Sequence, residues 1–133
     1  MNTTITELVY AGSFGVDSGQ AMVGDPCYLD GWDTNKNDEW NLEGKKGQYS
    51  YHGVSARTLE DSFGQVGAAS AVAFSTGYGD GLYPVYVKLN DDGRVGMVII
   101  DFDGELDPER MNNWTQLELF DIIVVNHKDK EQE

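Results

Sequence analysis

Tyr83-Pro84-Val85-Tyr86-Val87-Lys88-Leu89, then Asn90-Asp91-Asp92-Gly93, then Arg94-Val95-Gly96-Met97-Val98-Ile99-Ile100-Asp101-Phe102 is the stretch that decides the fold class. Two runs rich in Val, Ile, Tyr and Phe flank an Asp-Gly reversal, the pattern of a β-hairpin, because these turn residues tolerate the positive φ angles of a tight reversal. A glycine-punctuated acidic loop, Ser75-Thr76-Gly77-Tyr78-Gly79-Asp80-Gly81-Leu82, leads into the hairpin. An acidic turn, Asp101-Phe102-Asp103-Gly104-Glu105-Leu106-Asp107-Pro108, leads out of it, where Asp107 can cap a helical turn begun by Pro108.

Upstream, residues 5–10 and 14–17 read as two extended pieces separated by Ala11-Gly12-Ser13, with a third at 20–24 after Ser18-Gly19. Residues 30–47 have no sustained apolar period and read as a long loop pinned by Trp32 and Trp40. Residues 48–54 alternate as a strand would. Residues 56–63 suit a helix of about two turns, with Ser55 as N-cap and Gly64 as its stop. Residues 68–74 are small and apolar, as in a strand buried on both faces. Residues 116–125 read as a final strand and 126–133 as a charged tail. The expected fold is mainly β: a single-domain antiparallel sandwich or open barrel of about seven or eight short strands with one or two short helices, over residues 1–126, followed by the tail at 127–133.

Composition narrows the function classes. The chain has 133 residues, 40% of them hydrophobic, with seven Tyr, five Phe and three Trp, enough for a packed core. Twenty-three acidic against nine basic residues give a net charge of −14, which opposes binding to long nucleic acid or an anionic membrane and favours a basic partner or a cation. No run is long enough for a membrane span, and the start lacks the basic and apolar regions of a signal peptide, so a cytoplasmic location is expected. The single cysteine, Cys27, excludes an internal disulfide framework.

Three chemistries compete for the polar residues. A phosphate cradle at 77–81 lacks the Gly-Lys-Ser/Thr ending and the following helix of a P-loop, and Asp80 would repel the anion; a turn whose carboxylate accepts backbone hydrogen bonds is the simpler reading. Asp17, Asp25, Asp80, Asp101 and Asp103 lie at strand ends or glycine turns, and a divalent cation is a possible cofactor, with Asp80, Asp101 and Asp103 as candidate ligands, although the twelve-residue schedule of an EF-hand is missing. Cys27 as a nucleophile would need His52 as its base, since His127 lies in the tail, and a lone cysteine is more often a small buried apolar residue. No Gly-x-Ser-x-Gly elbow is present, so an enzyme is not the favoured class. Tyr78 and Trp32, placed in loops, suit contact with a flat ligand better than Tyr83 and Tyr86, which suit packing on opposite faces of a strand. Lys45, Lys46 or Lys88 could meet the charges of a small nucleotide.

Gly15-Val16-Asp17-Ser18-Gly19-Gln20, Gly24-Asp25-Pro26-Cys27-Tyr28 and Gly77-Tyr78-Gly79-Asp80-Gly81-Leu82-Tyr83-Pro84-Val85-Tyr86 together resemble a family of uncharacterised small proteins of bacteria and tailed phages, over about residues 14–102. The resemblance carries no activity. It implies a phage or mobile-element origin and two roles, an intracellular modulator of the host or a virion component. The leading expectation is a non-enzymatic binding module that presents an acidic, aromatic-rimmed surface, with Tyr78, Asp80, Asp17, Asp25 and Trp32 as its site, to a host protein or small ligand. The alternatives are a capsid-associated structural protein, located in the virion and self-assembling, and a metal-dependent hydrolase using the aspartates.

Overall fold

A computed structural model of the chain describes residues 8–106. The expected final strand, the Asp107-Pro108 cap and the tail lie outside these residues. Among the described residues there are six strands and two short helices: β1 (Leu8–Val16), β2 (Gln20–Gly24), a 3-10 helix (Pro26–Gly31), α1 (Tyr51–Asp61), β3 (Phe63–Val66), β4 (Ala71–Ser75), β5 (Gly81–Leu89) and β6 (Val95–Ile100). The chain is mainly β, as its composition implies, with two three-stranded sheets ordered β1-β5-β6 and β2-β4-β3. It divides into two compact units, 15–82 and the remainder, and the division falls within β1 and β5.

The first sheet contains the expected hairpin. β5 and β6 pair antiparallel from Val85 opposite Ile100 to Lys88 opposite Met97, with a bulge before Leu89 pairs with Val95. Within the turn 90–93 only Gly93 takes a positive φ, 79°. The Asn90 carboxamide accepts from the N–H groups of Asp92 and Arg94, each at 3.0 Å, so a side chain completes the turn. Tyr83 and Tyr86 are both buried on opposite faces, as strand parity requires. Tyr83 meets the ring of Phe14 and the edge of Phe102, while Tyr86 packs with Leu8, Ile99 and Leu106. β1 is one strand rather than two pieces. Tyr10 packs on Tyr86 and Phe14 on Tyr83, two even-numbered residues reaching opposite faces, so the alternation slips between them, where Gly12 has φ 150°.

The second sheet and α1 form the other core. Val54 of α1 meets Val66, Ala71 and Ala73, with Met22, Trp32 and Tyr49 packed around them. Full burial of a valine contributes about 1.5–3 kcal/mol. β4 is central, with Met22 and Gly64 as partners of Ala73, so small residues let the helix lie close. β4 is buried on one face only, because Val72 lies outward and exposed beside Val23, contrary to the two-sided burial expected.

Residues 48–54 are not a strand. The helix begins at Tyr51, not at residue 56, and its cap is Ser50, whose hydroxyl accepts from the Gly53 N–H at 2.9 Å. Three turns result where two were expected. The stop is Ser62, at φ 71°, not Gly64, which belongs to β3. On the exposed side Asp61 accepts from Lys46 and Arg57; these bonds, Lys46 first, lower the Asp61 pKa, and the bond to Asp61, followed by that to Glu60, raises that of Lys46. Pairs this exposed contribute little to stability.

The long loop after the 3-10 helix is pinned as expected. Trp32 stands edge-on to Tyr49 with ring centroids 5.1 Å apart, and Trp40 stands likewise against His52 at 5.1 Å. The decisive contact, however, is Asn35. Its side-chain oxygen accepts from the His52 N–H at 2.9 Å, and the Asp33 carbonyl accepts from the Tyr51 N–H at 2.9 Å. With Ser50 on Gly53, the first three N–H groups of α1 are all satisfied by the loop and the cap.

Candidate functional site

Two of the three glycine-aspartate segments meet. β1 ends at the buried Val16, and the chain turns through Asp17-Ser18-Gly19 into β2, a strand of the other sheet, at Gln20; β4 ends at Ser75 and turns through the fully buried Thr76 to Asp80. The Gly19 N–H donates to the Asp80 carboxylate at 2.9 Å, and the Gly19 carbonyl accepts from the Thr76 N–H at 3.0 Å. Both backbone groups of one residue are thus held by the other loop. The Thr76 hydroxyl donates to the Gly79 carbonyl at 2.6 Å and fixes the loop internally. Gly19 (φ 68°) and Gly79 (φ 93°) lie close enough that a Cβ on Gly19 would sit 3.8 Å from the Gly79 Cα. Asp80 therefore serves a turn, as its sequence context suggests, but its partner lies 61 residues away in the chain.

Around this clasp stand Asp17, Tyr78, Asp80 and Leu82, all exposed, with Tyr78 at 80% and Leu82 at 77%. Asp25 is not among them. It follows the far end of β2, four residues or about 13 Å along the strand from Gln20, and its carboxylate caps the 3-10 helix by accepting from the Cys27 N–H at 2.8 Å. Cys27 is exposed rather than buried, because the two turns of 3-10 helix after Asp25 bury no residue. His52, the base that a Cys27 nucleophile would need, is 2% exposed, with Lys45 Nζ 3.3 Å from its Nδ1. Lys46 is committed to Glu60 and Asp61.

Trp32 lines a pocket of about 140 Å³ together with Gln20, Met22, Tyr51, Val54 and Ser18. The Gln20 amide is held in place: Nε2 donates to the Ser55 hydroxyl at 3.0 Å and Oε1 accepts from the Thr58 hydroxyl at 2.7 Å. A larger hollow of about 440 Å³ lies on the outer side of α1 between Leu42, Lys46, Leu59 and Glu60. It is less suited to recognition, since Leu59 is 75% exposed and the Lys46 ammonium is already paired. Neither Gln20 nor Tyr51 stands out in the sequence; the one available signal is a glutamine opening an otherwise apolar strand, Gln20-Ala21-Met22-Val23.

A family model described as "Protein of unknown function (DUF4241)" matches residues 4–100. The chain belongs to this family. No curated protein and no solved structure matches it. The DUF4241 match spans the clasp, the pocket and all six strands, and it stops at the last residue of β6. Asp101 and Asp103, two of the three candidate cation ligands, fall beyond it. In this DUF4241 chain the Asp101 carboxylate is half of a turn: it accepts from the N–H groups of Asp103, Gly104 and Leu106 at 3.1, 3.0 and 2.7 Å. Among the described residues no group of three or more His, Cys, Asp or Glu side chains is placed to hold a metal ion, and no helix is long and apolar enough to cross a membrane.

Proposed function

We propose that the protein is a non-enzymatic binding module of phage type, and that it engages a basic surface on a host protein through Tyr78 and Leu82, with Asp17 and Asp80 beside them. The observation that carries this reading is the clasp: one hydrogen bond from Gly19 to Asp80 ties together two turns, in and beside which Tyr78, Leu82, Asp17 and Asp80 are all exposed. Large exposed apolar groups flanked by charge are what partner surfaces use, the apolar groups for affinity and the charges for steering. The net charge of −14 favours the same kind of partner. Asp80 and Asp101, the carboxylates a hydrolytic site would employ, are occupied by backbone donors instead.

Tyr78 touches little of its own fold, so Tyr78→Ala is expected to leave the melting temperature unchanged and to weaken the complex about 10- to 30-fold, as loss of an aromatic anchor does. Host lysate passed over the immobilised protein, with mass spectrometry of what is retained and titration calorimetry of the recovered partner, checks this. A partner retained equally by Tyr78→Ala and Leu82→Ala, or none retained at moderate salt, would sink the proposal.

A role in assembly, as in a virion component, is favoured by a different observation. Among the described residues β6 is an edge strand, with no charge or proline between Val95 and Ile100, and Val95 and Val98 are each 57% exposed. Edges this apolar pair readily with further strands. The expected result is a concentration-dependent oligomer in sizing chromatography that Met97→Lys disperses; a monomer at every concentration tested removes this reading.

A further inference from the structure

We propose that the pocket formed by Gln20, Met22, Trp32, Tyr51 and Val54 binds one uncharged six-membered heterocycle with an amide-like edge, of the pyrimidine-base class, free or as its nucleoside. Size is the first argument. The pocket measures about 140 Å³, close to the roughly 150 Å³ at which an apolar protein cavity takes up benzene. A single ring fills this volume, whereas a fused purine would extend beyond it into solvent and gain less from the walls. The walls supply the second argument: Trp32 and Tyr51 offer aromatic surface, Met22 a polarisable thioether, and the buried Val54 a dry floor.

Gln20 supplies the third. A carboxamide has two N–H donors and two acceptor lone pairs. One donor goes to Ser55 and one lone pair to Thr58, which leaves one N–H and one lone pair on an amide that can no longer turn freely. That remaining pair complements the adjacent C=O and N–H of a uracil-type edge, and the pre-orientation lowers the ordering cost of binding. No Lys, Arg, Asp or Glu lines the pocket, so nothing there neutralises a phosphate, and the overall negative charge opposes one. Ser18, which also lines the pocket, is exposed, so the pocket opens to solvent on that side. These side chains are not those of the Tyr78 surface, and the failure of either proposal leaves the other standing.

The test is titration of the isotope-labelled full-length protein with uracil, uridine, adenine and uridine 5′-monophosphate, followed by NMR. Uracil and uridine are expected to shift the amides of residues 18–22 and the Trp32 indole N–H, with a Kd on the order of 1 mM for so small a ligand. Adenine and the monophosphate are expected to bind at least tenfold more weakly. Gln20→Glu preserves volume, and both hydroxyl partners can rotate to donate to it, so the fold survives while uracil affinity drops tenfold or more. Met22→Trp, which fills the pocket, abolishes the shifts and serves where Gln20→Glu melts early. No shift at ten times the expected Kd, shifts located elsewhere, equal binding of adenine, or full binding by a folded Gln20→Glu protein would each overturn the proposal.

Discussion

Replacing Gly53 with alanine is expected to destabilise the protein by about 3 kcal/mol, in the direction opposite to helix propensity. In an exposed helix interior the same change would stabilise by about 1 kcal/mol, since alanine loses less backbone entropy than glycine. Gly53 sits in the first turn of α1, and there the segment 45–48 passes directly over it. A Cβ built on Gly53 would lie 2.1 Å from the Gln48 carbonyl oxygen and 2.7 Å from the Gln48 nitrogen. Both obstacles are backbone, and neither can swing aside. Gln48 is tied to the Lys45 carbonyl, and Gly47 is tied both to the Gly53 carbonyl and to the Gly67 N–H. The methyl group can be accommodated only by lifting the loop off the helix, with loss of those bonds. Urea denaturation should show a lower midpoint with an unchanged slope; a midpoint equal to or above that of the parent protein would refute the close approach.

That one glycine also explains why the sequence misleads at this point. Gln48-Tyr49-Ser50-Tyr51-His52-Gly53-Val54 alternates in polarity, and a glycine in it argues against a helix. What overrides the local signal is not local: Asn35, fifteen or more residues upstream, accepts from the helix N-terminus, and Val54 finds Val66, Ala71 and Ala73 as its core. No window of a dozen residues contains that information. Residues 83–102 are the opposite case. Their turn is closed by Asn90 on its own neighbours and their pairing is between adjacent strands, so every determinant lies within the segment that was read. Ser62 is a third kind of failure, because a serine at positive φ carries no signature where glycine is the expected stop.

The clasp was half legible. Glycines beside Asp17 and Asp80 mark turns, and an aspartate in a turn accepts backbone hydrogen bonds. Which backbone it accepts from follows from the antiparallel register of β2 on β4, which sets Gln20 against Ser75 and so brings their preceding and following loops together. The same register places Asp25 at the other end, past Gly24 opposite Ala71. A similar motif therefore has a different position and a different duty, as the cap of a helix. Gln20 was illegible because its importance comes from two hydroxyls on α1, a helix whose start the sequence pattern places too late.

Asn35 gives the second large effect, and its two substitutions should part company with pH. The residue is buried at φ 52°, where asparagine is tolerated and alanine costs about 1 kcal/mol. Asn35→Ala also leaves the buried His52 N–H without its acceptor, a loss of about 1–3 kcal/mol, and removes the donor to Asp33 and Asp38, so a total near 3 kcal/mol is expected at any pH. Asn35→Asp keeps the conformation and the acceptor for His52, and adds a charge that the helix N-terminus favours. It also replaces the Nδ2 donor, 3.0 Å from Asp33 and 3.3 Å from Asp38, with an oxygen, and three carboxylates then share one site. Like charges at that distance raise the folded-state pKa of the group above its unfolded value near 3.9. The folded protein then binds the extra proton more readily than the unfolded chain, so the deficit is largest at neutral pH and shrinks as pH falls toward about 4. Differences in urea midpoint from the parent protein, taken at neutral pH and near pH 4.5, should show the Asp variant recovering and the Ala variant not. If the two deficits move together with pH, the carboxamide is not the bridge between the two aspartates; if Asn35→Ala is neutral, the loop does not cap α1.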